Sequence, residues 1–212
     1  MKNQSEHLET LSEIRSLMER SSRFASLNGL SGVFTGAFAL IGAFAAYYHL
    51  HLKLFQPNYY FYSVATEGYR NISFYTFFLT DASLVLILSL SAAVLLSVHK
   101  AHKKGLKIWD NTAKRLLFNM LIPLVSGGIF CFILIYHGYM VLVAPLTLVF
   151  YGLALINASK YTFNDIRYLG LLELAIGLSA TIWIKHGLFF WALGFGLMHI
   201  IYGIIMYYKY ER

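Results

Sequence analysis

The chain has 212 residues, of which 58% are hydrophobic and only 13% charged, with a net charge of +7. A soluble domain carries about twice that share of charged residues, and the mean hydropathy of +0.59 agrees. A soluble enzyme and a disordered chain are therefore excluded, and a single cysteine, Cys131, excludes a disulfide-stapled secreted module.

A multi-pass membrane protein is left. The sequence predicts an all-α fold of six transmembrane helices arranged as three hairpins, residues 29–212, preceded by an interfacial segment, residues 1–28. In that first segment apolar residues recur at Leu8, Leu11, Ile14, Leu17, Met18 and Phe24. The spacing suits an amphipathic helix lying on the membrane, with Arg15, Arg20 and Arg23 among anionic head groups, or docking a cytoplasmic protein partner. Because the first long apolar run begins only beyond Phe24, no cleavable signal peptide is expected.

The spans follow from gaps in charge. Residues 25–52 hold no Asp, Glu, Lys or Arg, which places a span near 29–50, and between Arg70 and Lys100 only Asp81 is charged, which places one near 73–97. Residues 116–159 hold no charge at all. As one helix they would run about 66 Å, more than twice a hydrocarbon core. They must fold back, and Tyr136-His137-Gly138 supplies the turn between spans near 117–135 and 140–158. Two more spans follow near 168–184 and 188–208.

Lysine and arginine set the expected orientation. With the N-terminus inside, the outer segments hold only Lys53, Arg70 and Lys185, and all the other basic residues lie inside. Both termini are thus expected in the cytoplasm of a bacterial inner membrane. Topology accounts for the basic balance, so no nucleic acid is expected as a partner. The third–fourth and fifth–sixth spans also align without a gap: His137-Gly138 falls on His186-Gly187, and Lys160-Tyr161 on Lys209-Tyr210. Gly32 and Gly36 form a small-residue pair of the kind that lets helices approach in lipid, for packing within the chain or in a homo-oligomer.

An ionisable group in a membrane span usually faces protein or a water-filled cavity. Asp81 and His199 lie about 13 Å and 16 Å from the same side of their spans, which suggests a facing pair for ligand binding or proton relay. Glu173 is expected nearer the inner end of the fifth span, with Asn119 and Asn157 as a second polar cluster. His49, His51, His137 and His186 gather at outer helix ends, where a zinc or copper site would need the hairpins to converge. The outer loop around Pro57 is rich in aromatic residues, which suits an interfacial belt or a lid over an outward-facing pocket. No nucleophile elbow, zinc-protease, P-loop or dinucleotide signature is present.

The stretch Ile14–Phe24 with Leu27–Gly32, and the closing stretch Phe190–Arg212, resemble a family of uncharacterised bacterial inner-membrane proteins. Six helices and a basic inner face are similar in architecture to the substrate-binding membrane subunits of energy-coupling-factor transporters, with Ala39 and Ala43 a faint echo of their coupling helix. Neither resemblance implies a substrate. The expectation is a non-enzymatic protein that binds a small solute or lipid for transport or sensing, its cofactor unknown. A regulatory scaffold acting on a cytoplasmic partner and an intramembrane lipid-modifying enzyme are the alternatives.

Overall fold

The computed structural model describes residues 28–50, 72–103, 105 and 109–212. The amphipathic segment, the aromatic loop and His51 fall outside the described residues. Among those described there are six helical rods and no strand. They are α1 (Gly29–His49), α2 (Ile72–Lys103), α3 (Asn111–Tyr136), α4 (Val143–Ala158), α5 (Asp165–Ile182) and a composite α6. The last runs from Gly187–Trp191 through a π-helical turn, Ala192–Met198, into His199–Tyr210. Five of the six rods are long and apolar enough to cross a membrane. The sixth, α5, carries Asp165, Arg167 and Glu173 in its 18 residues.

Helix starts and stops have local causes. Asn28 caps α1, its side chain accepting from the Leu30 N–H at 2.9 Å, and Asp110 caps α3 through the Ala113 N–H at 2.6 Å. Such side chains satisfy amide donors that the first turn leaves unpaired. Gly138, at φ 80°, closes the turn after α3 in a left-handed conformation that other residues resist. Pro145 sits in the first turn of α4, where its missing N–H costs no helical bond.

The helices pack in a sequence α2, α1, α6, then α5 with α4, then α3. Glycines set two of the seams. A Cβ at Gly32 would lie 3.1 Å from the Cα of Gly203, joining α1 to α6, and one at Gly170 would lie 2.8 Å from the Gly152 carbonyl oxygen, joining α5 to α4. The expected Gly32–Gly36 pair thus serves packing within the chain. The two aligned hairpins differ in their packing. Helices α3 and α4 pack directly, whereas α5 meets α6 mainly along its first turns and the π segment, because the rest of α6 is committed to α1.

Both ends of the bundle are closed. At the hairpin end Leu50, Phe74 and Val141 form an apolar plug with Phe78, Met140, Ile184 and Leu188. At the opposite end Glu211 accepts from the Gly29 N–H and from Lys100 Nζ at 3.0 Å. One carboxylate there ties the start of α1, the end of α2 and the end of α6, at the positive pole of the α1 dipole.

Candidate functional site

Three side chains meet at the midpoints of three helices. Glu173 is residue nine of the 18 in α5, Tyr151 residue nine of the 16 in α4, and His199 opens the last segment of α6 directly after the π turn. Glu173 is 0% exposed and His199 4%. Glu173 Oε1 lies 3.2 Å from His199 Nδ1. The other ring nitrogen, Nε2, is 2.8 Å from the Tyr151 hydroxyl.

The π turn completes the geometry. It brings the Gly194 carbonyl oxygen within 3.1 Å of His199 Nδ1. A carbonyl can only accept, so Nδ1 carries a hydrogen. In the neutral ring Nε2 is then an acceptor, and Tyr151 donates to it. That Nδ1–H is engaged by Gly194, so the approach of Oε1 is an electrostatic contact, and neither Glu173 oxygen has a hydrogen-bond partner. Gly194 also makes the space: a Cβ there would fall 2.5 Å from Glu173 Oε2 and from Leu148 Cδ2. π turns inside α-helices recur at functional sites, and this one both presents a carbonyl to the ring and admits a carboxylate.

The electrostatics allow two arrangements of equal net charge. In one, Glu173 and His199 are both neutral and Tyr151 donates to Nε2. In the other, the carboxylate faces an imidazolium whose Nε2–H donates to the Tyr151 oxygen. A lone carboxylate at 0% exposure would cost several kcal/mol, so the proton moves within the group or is exchanged with another ligand. Phe195 stacks near the ring, 6.0 Å between centroids and tilted 26°, and Trp191 follows Phe195 at 5.1 Å. Chemically, the arrangement can hold a proton, hand it between carboxylate and imidazole, and offer two free carboxylate lone-pair faces.

The expected pairing of His199 with Asp81 is corrected. The carboxylate that meets His199 is Glu173, while Asp81 lies against α1, 3.4 Å from where a Gly42 Cβ would stand. Asp81 and His199 are not level either, since Asp81 lies beside Gly42 of α1 whereas the His199 turn lies beside Gly32 and Gly36, and α1 packs between α2 and α6. Glu173 sits deeper than expected because α5 begins at Asp165 rather than at Tyr168. Its expected neighbours lie elsewhere. Asn119 donates to the Arg115 carbonyl at 2.8 Å and to the Tyr161 hydroxyl at 3.4 Å, and Asn157, half-buried on α4, does not bond the Glu173 oxygens. Of the histidines expected at a metal site, His49 stacks on Phe77 at 3.8 Å, and His137 and His186 are exposed. Among the described residues no group of three metal-type side chains forms.

Tyr151 was not anticipated. Its signal was a phenol at the centre of an otherwise apolar span, four residues from Thr147 and adjacent to Gly152. No family model, no curated protein and no solved structure matches this chain.

Proposed function

We propose that this chain is a multi-pass protein of the bacterial inner membrane that binds a small solute or lipid, for transport or sensing, and that Glu173, His199 and Tyr151 are its proton-linked binding centre. The observation that carries this reading is a fully buried carboxylate whose two oxygens have no hydrogen bond, facing a histidine. Buried polar groups are normally satisfied, and an unsatisfied one calls for a specific account. Intramembrane acids and histidines mark ion, proton and substrate pathways more often than they mark packing. The charge pattern of the sequence supports an orientation with both termini in the cytoplasm.

The test follows the carboxyl group directly. Solute-induced infrared difference spectra of the protein in lipid nanodiscs should contain a carboxyl band that Glu173→Gln removes. Solutes that raise the melting temperature of the wild type should raise that of the variant much less. A carboxyl spectrum indifferent to solute, with solute stabilisation unchanged in the variant, overturns the reading.

A further inference from the structure

A second carboxylate in the spans has no partner among the described residues. Asp81 makes no hydrogen bond and no ion pair with them, and it is only half-buried. It is level with Gly42, seven residues before the end of α1, which places it about 10 Å inside the bundle. A carboxylate at that depth is too short to reach the interface and faces either protein or lipid.

Helix α2 is also the least covered of the five candidate spans among the described residues. Only 6% of its membrane window is buried, against 39% for α1. Leu84, Leu88 and Leu95 on it are 59%, 47% and 68% exposed. Those apolar side chains need nothing beyond lipid, but Asp81 at the edge of the same helix does. Among the described residues no cation of a second copy stands at that depth, since they sit near helix ends, with Lys100 and Lys114 at one and Lys185 at the other. Charge complementarity therefore selects a different occupant.

We propose that the Asp81 side of α2 docks a transmembrane helix of another membrane protein, one that carries a lysine or arginine about 10 Å inside its own span. The cation would pair with Asp81 beside Gly42, and the leucines of α2 would pack along the incoming helix. This interface is independent of the Glu173 centre.

The experiment uses the full chain, with a fluorescent donor fused to its C-terminus, in lipid vesicles. The probes are acceptor-labelled leucine–alanine peptides that insert in both directions, carrying either one lysine about 10 Å from one end or leucine there. Energy transfer should saturate at about tenfold lower mole fraction for the lysine peptide than for the leucine peptide. Asp81→Leu and Asp81→Asn should both abolish that preference, while Glu173→Gln leaves it intact. Because Asp81 has no partner among the described residues of the isolated chain, neither Asp81 variant should melt below the wild type, which separates lost docking from lost fold. Equal transfer for the two peptides, or a lysine preference that survives Asp81→Leu, overturns the proposal. Peptide-free self-association that Asp81→Leu removes would overturn it too, by assigning the face to a second copy.

Discussion

Glu173 and His199 stand at the middle of their helices with 3.2 Å between Oε1 and Nδ1, and the backbone of α6 is bent into a π turn at the point that makes this approach possible. The carbonyl of Gly194 orients the ring, and the missing side chain of Gly194 admits the acid. Position, orientation and access are thus supplied by one stretch of seven residues.

Removing one member of the pair should be worse than removing both. Breaking a buried pair from one side leaves an uncompensated polar group and costs about 3–5 kcal/mol, whereas well-packed apolar replacement of both is often neutral. His199→Leu alone is expected to show the larger loss of melting temperature, and the double change His199→Leu with Glu173→Leu to recover part of it. Tyr151→Phe removes one donor to Nε2 and should cost about 1 kcal/mol. A double-mutant cycle on melting in detergent measures the coupling, and strict additivity of the His199 and Glu173 changes would contradict the geometry.

Gly194→Ala tests the room reserved for the carboxylate. Its Cβ would lie 2.5 Å from both Glu173 Oε2 and Leu148 Cδ2, and overpacking of this kind typically costs about 1–3 kcal/mol. Gly128→Ala on α3, with nothing within 4 Å of the added carbon, should be neutral or slightly stabilising, since alanine is the better helix former. Thermal melts of the two variants side by side decide it. Combining Gly194→Ala with Glu173→Ala should relieve much of the penalty.

Much of the fold was legible because charge and membrane thickness are one-dimensional constraints. Most of the helices coincide with gaps in Asp, Glu, Lys and Arg, that of α2 interrupted by Asp81 and that of α5 by Glu173, and the fold-back at His137-Gly138 was forced by length alone. The centre was less legible. Depth along a helix can be counted from sequence, but the neighbour a side chain meets depends on which helices are adjacent, and α1 separates α2 from α6. The position of Glu173 was misjudged by the three residues between Asp165 and Tyr168, almost a full turn. The π turn leaves no periodic trace, beyond the two glycines, Gly194 and Gly196, that tolerate it.

The clamp at the other end of the bundle predicts how the start of α1 is held to the end of α6. Glu211 accepts from the first amide of α1 and from Lys100, with side-chain exposures of 12% and 8%. Glu211→Gln keeps the shape but removes the charge that complements the α1 dipole, and should cost about 0.5–1 kcal/mol. Glu211→Ala should cost more, because the Gly29 N–H and Lys100 both lose that acceptor. Hydrogen exchange at the Gly29 and Leu30 amides reports the effect locally: faster exchange in the alanine variant is the expected result, and unchanged protection would show that the first turn is held by Asn28 alone.

Acid should loosen the α5–α6 junction through Asp165. Burial works against its ionised form, but hydrogen bonds from the Tyr210 hydroxyl and the Lys209 ammonium outweigh it and hold the carboxyl below the usual carboxylate range. A group whose folded value is depressed contributes stability that is fully present above its unfolded value, about 3.9 for aspartate. That contribution is lost as pH falls through the lower, folded value. The wild type should therefore lose melting temperature on strong acidification in part through this residue, whose contribution is full and independent of pH around neutrality. Asp165→Asn should be less stable at neutral pH and should flatten the acid limb, so that the two melting curves converge at low pH. Salt should narrow the difference at neutral pH, because Lys209 is 53% exposed and its attraction is screened. Parallel acid limbs in the two proteins would show that Asp165 is not the group being titrated.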